Sequence, residues 1–291
     1  MERMKTVHLV YFSGTGGTAR VAFGLEQAFQ RHGLQVRVTE LNAQPHPAVE
    51  ADLLVLAYPV YACNAPVPVD EWVAQAPEGN NTPAEVVSVS GGGEVTPNTA
   101  CRIEVIRRLE KKGYRVDQEA MFVMPANFIL PYGDALSAML LRAAPVKAEA
   151  FVSSILSGGR NRTKPHILDR LAARLCAAEK KGSRVFGKKL KANGNCTGCG
   201  WCAGHCPREN IVMQGERPQF GERCVICLRC VYGCPMKAIV PGMGKRFVLR
   251  QGFDLGAVEE RTKHMSEFPP VSQVAKGLMF KGVKAYLEDR E

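Results

Sequence analysis

Eight of the eleven cysteines in this 291-residue sequence fall between Cys196 and Cys234, in two copies of one spacing. The copies read Cys196-Thr-Gly-Cys199-Gly-Trp-Cys202-Ala-Gly-His-Cys206-Pro207 and Cys224-Val-Ile-Cys227-Leu-Arg-Cys230-Val-Tyr-Gly-Cys234-Pro235. This C-x2-C-x2-C-x3-C-P spacing is typical of ligands to a [4Fe–4S] cluster, which takes one thiolate on each iron. Three closely spaced cysteines reach three corners of the cube, so the fourth ligand has to come from elsewhere.

In this spacing the last cysteine of each motif ligates the cluster of the other motif. The predicted ligands are Cys196, Cys199, Cys202 and Cys234 for cluster I, and Cys224, Cys227, Cys230 and Cys206 for cluster II. Such crossing ties the two halves of a small domain together in place of a hydrophobic core. A zinc ribbon is the alternative, but it needs only two CxxC pairs and would leave four cysteines unused. The segment resembles bacterial two-cluster ferredoxins.

A loop rich in glycine and hydroxyl groups follows the first predicted strand, Val7–Phe12, and opens the first predicted helix, Thr18–His32. It reads Ser13-Gly14-Thr15-Gly16-Gly17-Thr18. Backbone N–H groups at the start of a helix favour an anion, and glycines let the backbone wrap around it. The three hydroxyls suit a terminal phosphate monoester. No Gly-Lys-Ser/Thr follows, so the loop is not a Walker A motif.

A dinucleotide site is the alternative for this loop. Gly14-x-Gly16-x-x-Ala19 fits the dinucleotide fingerprint, and Glu40 ends the second predicted strand, near the place of a ribose-binding acid. Two features argue against a dinucleotide: the loop is rich in hydroxyls, and a second nucleotide-binding half is missing. The loop after the third predicted strand, Asp52–Tyr58, instead has the composition of a flavin contact, Pro59-Val60-Tyr61-Ala62-Cys63-Asn64-Ala65-Pro66.

Together these features closely resemble flavodoxins over residues 5–158. The resemblance implies that the phosphate of FMN is bound by Ser13, Gly14, Thr15, Gly16, Gly17 and Thr18. It implies ring contacts from Pro59, Val60, Tyr61 and Asn64, and from Ser90, Gly91, Gly92 and Gly93. Residues 124–128 (Met-Pro-Ala-Asn-Phe) are a weaker candidate at the far edge. Two differences from flavodoxins stand out: Gly17 replaces a common asparagine, and the domain is less acidic than most.

The first 158 residues alternate apolar strands with helices, as in a parallel sheet covered on both faces. The predicted fold is therefore α/β, a flavodoxin-like five-stranded doubly wound parallel sheet for which the resemblance implies the order 2-1-3-4-5. The later predicted elements are strands at 34–41 and 85–90, a strand ending at 121–124, a helix at 99–112, and a helix at 135–157 with a break at Pro145. A smaller α+β two-cluster ferredoxin-like domain completes the fold.

Four segments make up the predicted domain organisation: the flavodoxin-like domain at 1–158, a basic helical connector at 159–191, the ferredoxin-like domain at 192–241, and a tail at 242–291 with a helix at 271–287. In the connector, Ile167, Leu171 and Leu175 form one apolar stripe. Cys101 and Cys176 are predicted to be small buried residues, and packing is also favoured for Cys63.

Charge is distributed unevenly along the chain. Residues 1–150 have a net charge of −3, whereas residues 160–191 carry 11 Lys or Arg against Asp169 and Glu179. This basic run is either a solvated connector or a docking face for an acidic partner. Nucleic acid is disfavoured because no aromatic residues interleave with the charges as a base-stacking platform requires. The N-terminal stretch lacks a signal-peptide layout and no long apolar run is present, so the prediction is a cytoplasmic protein without a membrane span.

The order of the parts resembles the flavodoxin–ferredoxin fusion proteins of anaerobic bacteria and archaea. The predicted function is electron transfer between two [4Fe–4S] clusters and FMN, for a redox partner protein in anaerobic metabolism. The alternative is an FMN-dependent reductase of a small molecule that the clusters supply with electrons. No acid–base dyad accompanies the flavin loops in the sequence, so no catalytic residue is predicted, and protons would come from Tyr61, water or substrate. A third hypothesis is an iron–sulfur regulator that binds nucleic acid.

Overall fold

The computed structural model describes residues 4–47 and 50–289. Its centre is a five-stranded parallel sheet in the order β2-β1-β3-β4-β5, which confirms the predicted flavodoxin-like order. The strands are β1 Thr6–Tyr11, β2 Gln35–Glu40, β3 Leu53–Pro59, β4 Pro83–Ser90 and β5 Arg115–Val123. β3 is the middle strand and is almost wholly apolar, as a strand covered on both faces must be.

Helices cover both faces of this sheet. They are α1 Gly17–Arg31, α2 Val67–Gln75, α3 Ile103–Lys111 and α4 Asp134–Leu156, with a short 3-10 helix at Asn98–Ala100. α1 and α4 pack on one face through a cluster that includes Val21, Leu25 and Ala148. α2 and α3 pack on the other, where Val69, Trp72 and Leu109 are buried. The carboxyl ends of β1, β3 and β4 therefore meet at one edge, where the predicted flavin loops begin.

The predicted break at Pro145 is wrong, because α4 runs through this residue without interruption. A proline removes one backbone donor from a helix interior. Here the buried residues Leu140, Ala144 and Ala148 lie on both sides of it and hold the helix against the sheet and α1. Pro145 also lies close to Gly24 of α1, whose missing side chain lets the two helices approach. Tertiary packing thus outweighs the local preference.

Two helices occupy the predicted connector, α5 Ile167–Cys176 and α6 Glu179–Lys188. The smaller domain follows, with two two-stranded antiparallel sheets. Its elements are β6 Lys191–Ala192, α7 Trp201–Gly204, β7 Ile211–Gln214, β8 Arg217–Phe220, α8 Arg229–Gly233 and β9 Ile239–Val240. β6 pairs with β9 and β7 pairs with β8.

The tail differs from the single predicted helix at 271–287. It holds α9 Leu255–Thr262, α10 Val271–Val274, α11 Lys281–Glu288 and 3-10 turns at Gly242–Arg246 and Leu278–Phe280. Gly277 has a φ of +88°, a left-handed conformation that ends helical geometry between α10 and α11. The tail returns to the first domain, where Ala275 and Val283 pack with Val123, Leu136 and Leu140.

The ends of two predicted segments lie outside the described residues. These are residues 1–3 of the N-terminal stretch and residues 290–291 of the tail. In the part of the chain that the structure describes, none of the helices combines the length and the apolar character needed to cross a bilayer.

Candidate functional site

The eight motif cysteines line two separate cavities, four in each. Cys206, Cys224, Cys227 and Cys230 line one cavity, and Cys196, Cys199, Cys202 and Cys234 line the other. In each set one cysteine comes from the opposite motif, as in the predicted crossed ligation. Among residues 4–47 and 50–289, no three His, Cys, Asp or Glu side chains are grouped to hold a single metal ion. A four-iron cluster differs from one ion because each iron takes its thiolate at a separate corner.

In the second motif Cys227 is buried, and Cys224 and Cys230 are half-buried. Burial raises the pKa of Cys224 to about 12 and that of Cys227 to about 11, and it holds the pKa of Cys230 well above its usual value. Such thiols stay protonated in the absence of a metal, whereas a coordinating metal deprotonates a thiol outright.

Backbone N–H groups also point at the sulfurs in a repeated pattern. The N–H of Asn210 donates to Cys206 Sγ at 3.3 Å, and the N–H of Ala238 donates to Cys234 Sγ at 3.3 Å. Each donor lies four residues after the last cysteine of its motif. Hydrogen bonds to ligand sulfurs are one means by which proteins tune cluster potentials. The two motifs therefore provide matching sulfur environments at their crossing ligands.

The glycine loop after β1 has the geometry of an anion cradle. Ser13 is buried, and its hydroxyl accepts hydrogen bonds from the N–H groups of Gly16 at 3.2 Å and Ala19 at 3.3 Å. The first turn of α1 has no intrahelical acceptors for its N–H groups, so those of Gly17 and Thr18 are available to a ligand. Gly16 has a φ of +97°, which a side chain would resist. The loop residues thus fit a phosphate at the positive end of α1.

A cavity of about 280 Å³ opens beside this loop at the carboxyl edge of the sheet. Most of the predicted flavin residues line it, namely Ser13, Gly14, Thr15, Gly17, Thr18, Pro59, Val60, Tyr61, Ser90 and Gly91. The weaker candidate segment 124–128 lines it as well. Asn127 Nδ2 donates to Thr15 Oγ1 at 2.6 Å, which joins this segment to the phosphate loop. The cavity therefore brings together loops that follow four different strands.

Four predicted residues lie outside the lining of this cavity: Gly16, Asn64, Gly92 and Gly93. Asn64 Nδ2 instead donates to Ala62 O at 2.9 Å and to Ala173 O of α5 at 2.8 Å. The loop at 91–93 packs closely against the tail. A Cβ on Gly93 would lie only 2.6 Å from the carbonyl carbon of Gly282. These residues shape the loops rather than face the cavity.

Four of the lining residues that sequence reasoning missed come from distant parts of the chain: Glu179, Ile226, Leu228 and Phe253. Glu179 lies on α6, and burial raises the pKa of its carboxyl group. Phe253 belongs to the tail. Ile226 and Leu228 lie inside the second cysteine motif, on either side of Cys227. No local signal marks such residues, since only the packing of the connector, the second domain and the tail on the first domain brings them to the cavity.

The second cysteine motif is bound directly to the phosphate loop. Arg229 Nη2 donates to Ser13 O at 2.8 Å and to Glu40 Oε1 at 2.8 Å, and Arg229 Nε donates to Gly14 O at 2.9 Å. A Cβ on Gly14 would lie 2.5 Å from Tyr61 Oη and 2.8 Å from Cys227 O, so a side chain there would separate the domains. Tyr232 Oη donates to Asn127 O at 2.6 Å. Leu228 lines both the predicted flavin cavity and the Cys206/Cys224/Cys227/Cys230 cavity.

Two of the remaining cysteines lie next to each other. Burial, followed by the neighbouring Cys176 thiol, raises the pKa of Cys63 to about 12. Both residues are half-buried, whereas Cys101 is 2% exposed in the core. The prediction of a small buried residue therefore agrees best with Cys101.

No protein-family model matches the chain, and no curated protein sequence matches it. Several solved structures resemble it in part. An archaeal flavodoxin is 13% identical and covers 52% of this chain and 98% of its own, with a TM-score of 0.36. A flavodoxin of Streptococcus pneumonia TIGR4 is 19% identical over 51% of this chain and 99% of its own, with a TM-score of 0.39. A two-electron reduced Megasphaera elsdenii flavodoxin is 20% identical over 48% and 98%, with a TM-score of 0.35.

Proposed function

We propose that this chain is an electron-transfer protein in which two [4Fe–4S] clusters and an FMN exchange electrons within one molecule. When bound, the clusters supply one-electron steps and FMN supplies a carrier for two electrons. The observation that carries the proposal is the position of Cys227. It lines the cavity of the cluster II ligands, while its neighbours Ile226 and Leu228 line the predicted flavin cavity.

Different loops of the chain would bind different parts of the flavin. The loop at 13–18 would hold the phosphate, and the loops at 59–62, 90–91 and 124–128 would surround the ring. Ile226 and Leu228 would exclude water from the gap between ring and cluster II, since both are apolar. Arg229 and Tyr232 hold the second motif against the flavin loops. We infer that cluster II is the partner of the flavin and that cluster I lies one step farther out.

Cluster I is the proposed entry point for electrons from a redox partner protein. Cys199 is exposed, whereas Cys227 at the equivalent position of the second motif is buried. Met236, which lines the cluster I cavity, is 46% exposed. A partner docked there would meet a ligand of cluster I at the surface. The electrons would then pass inward to cluster II and the flavin.

Rapid mixing of the anaerobically purified holoprotein with a low-potential reductant tests this relay. Cluster absorbance should bleach first and flavin absorbance second, at a rate independent of protein concentration because the transfer is intramolecular. The matched variants are Cys227→Ser and Cys199→Ser, at equivalent positions of the two motifs. Both should slow flavin reduction, and Cys227→Ser should slow it more. A flavin rate proportional to protein concentration would contradict the internal relay.

A small-molecule reductase is the second candidate, and Glu179 is the observation that favours it. Its carboxyl group lines the flavin cavity, and its pKa is raised by burial, as a proton donor requires. Sequence reasoning placed no acid in this cavity. If the chain reduces a quinone or an activated alkene, Glu179→Gln should lower that turnover and change its pH profile, while reduction of the flavin by the clusters stays unchanged. Equal turnover of both proteins would remove this candidate.

A further inference from the structure

The helix α5 presents its apolar side chains to solvent. Ile167, Leu168, Leu171 and Leu175 are 73%, 73%, 49% and 77% exposed, whereas Asp169 and Ala173 on the opposite side are buried. A surface helix ordinarily turns its apolar stripe toward the core. The stripe predicted from the sequence is thus present, but it faces outward. Four adjacent exposed aliphatic residues are more than the scattered apolar side chains of an ordinary surface.

Polar contacts fix this orientation. The Asp169 carboxylate accepts a hydrogen bond from Thr99 Oγ1 at 2.5 Å, and Asn64 Nδ2 donates to Ala173 O at 2.8 Å. Turning α5 to bury its leucines would break both contacts and expose Asp169, which is 1% exposed. The aliphatic face is therefore available to a binding partner in the folded protein.

Positive charge flanks this face along α5, and neither acid of the segment 160–191 is exposed. Of the two acids within 160–191, Asp169 is buried and Glu179 lines the flavin cavity. Lys180 and Lys188 pair with Asp70 and Glu222 of other elements. Exposed cations that form no ion pair with any described residue remain on both helices, namely Arg170 and Arg174 on α5 and Lys181 on α6. On α6 the exposed Val185, at 52%, adjoins Arg184.

We propose that the outward face of α5 binds the surface of an anionic lipid bilayer, with its aliphatic side chains in the interface and with the exposed cations of α5 and of the following helix α6 attracting the lipid headgroups. Exposed apolar residues flanked by Lys and Arg are the composition of helices that lie in a membrane interface. The cores of protein interfaces are instead depleted in charged residues, whereas Arg170 and Arg174 directly adjoin the aliphatic side chains of α5. The only Phe, Tyr or Trp in 160–191 is Phe186, which is half-buried against Gly244. Exposed aliphatic side chains bordered by cations therefore favour an anionic lipid surface as the occupant.

Vesicle flotation of the full, cofactor-loaded chain tests this proposal. The probes are vesicles of phosphatidylcholine alone and of phosphatidylcholine with about one third phosphatidylglycerol. The wild-type protein should float with the anionic vesicles only, and binding should fall steeply at high salt because screening shortens the range of the attraction. Leu171→Gln with Leu175→Gln should lower the bound fraction at least tenfold. Lys181→Glu with Arg184→Glu should lower it as well.

The matched control is Phe23→Gln with Val146→Gln. These side chains are 60% and 69% exposed on α1 and α4, on the opposite face of the sheet, so binding should be unchanged. Equal binding to neutral vesicles, or full binding by the leucine variant, would overturn the proposal. An acidic redox protein is the competing occupant. The lipid assignment would also fail if the protein bound neither kind of vesicle but bound a polyglutamate surface, and if the leucine variant lost that binding. None of these outcomes depends on the electron-transfer proposal.

Discussion

The two cysteine motifs place left-handed residues at the same positions but fill them differently. In the first motif the positions after Thr197 and Cys199 are Gly198 and Gly200, both with a φ of +73°. In the second they are Ile226 and Leu228, with φ of +54° and +61°. The match extends to Glu209 and Lys237, each three residues beyond the last cysteine and each with a φ of +47°. The duplicated spacing thus corresponds to a duplicated backbone.

This difference in residue type separates the two motifs by role. Glycine adopts the left-handed region without steric cost, whereas a residue with a Cβ loses about 1–2 kcal/mol there. In the second motif Ile226 and Leu228 adopt this conformation despite its cost, and both side chains line the predicted flavin cavity. The first motif has glycine instead, and its Cys199 is exposed. The second motif, which packs against the flavodoxin-like domain, therefore has side chains at these positions that contact that domain.

The largest expected effect comes from replacing Cys206 or Cys234, the last cysteine of each motif, which is predicted to ligate the cluster of the other motif. Cys206→Ala lies in the first motif but should destroy cluster II, lowering the iron content from about eight to about four per chain. Its remaining EPR spectrum should match that of Cys227→Ala and differ from that of Cys199→Ala. Cys234→Ala should give the converse result. A Cys206→Ala spectrum that matched Cys199→Ala would show that each motif holds its own cluster.

The second effect tests the flavin side of the contact. Thr15→Val with Thr18→Val should weaken FMN binding by about two to four decades, because two hydrogen bonds to a charged phosphate contribute about 3–6 kcal/mol. The iron content should stay unchanged, since neither residue touches a cysteine cavity. Fluorescence titration of FMN measures the affinity. An unchanged affinity would place the phosphate elsewhere.

The third effect concerns the bridge between the domains. Arg229→Ala should weaken FMN about tenfold to a hundredfold, the contribution of one hydrogen bond to a charged group, because its bonds to Ser13 O and Gly14 O hold the phosphate loop. Arg217→Ala is the control, since Arg217 Nη1 donates only to Asn193 O within the smaller domain. If both variants bind FMN equally well, the bridge has no part in flavin binding.

The smallest effect tests the backbone comparison itself. Gly200→Ala should lower the free energy of unfolding by about 1–2 kcal/mol, since it adds a Cβ to a left-handed residue. Nothing lies within 4 Å of that Cβ, so φ alone causes the loss. Ile226→Gly should change stability by less than about 1 kcal/mol, because relief of the φ strain offsets the lost apolar contact. Anaerobic denaturant unfolding measures both. A loss of several kcal/mol for Ile226→Gly would mean that the apolar contacts of the side chain outweigh the φ strain.

Local sequence determined much of the architecture. The alternation of apolar strand runs with helical segments predicted the α/β fold, and the sheet has the expected order. The motif spacing predicted two sets of four cysteines as cluster ligands, and the same two sets line the two cavities. The glycine loop could be located from the sequence because a short strand–loop–helix segment depends on the conformations of consecutive residues.

Tertiary structure alone decided the features that depend on long-range packing. The continuity of α4 through Pro145, the outward turn of the α5 leucines and the return of the tail to the sheet all follow from contacts between distant residues. Glu179, Ile226, Leu228 and Phe253 reach the flavin cavity in the same way. Periodicity reports which side chains share a face of a helix, but it cannot report which face the rest of the protein will cover. For α5 the buried Asp169 and its hydrogen bond from Thr99 determine which face is covered.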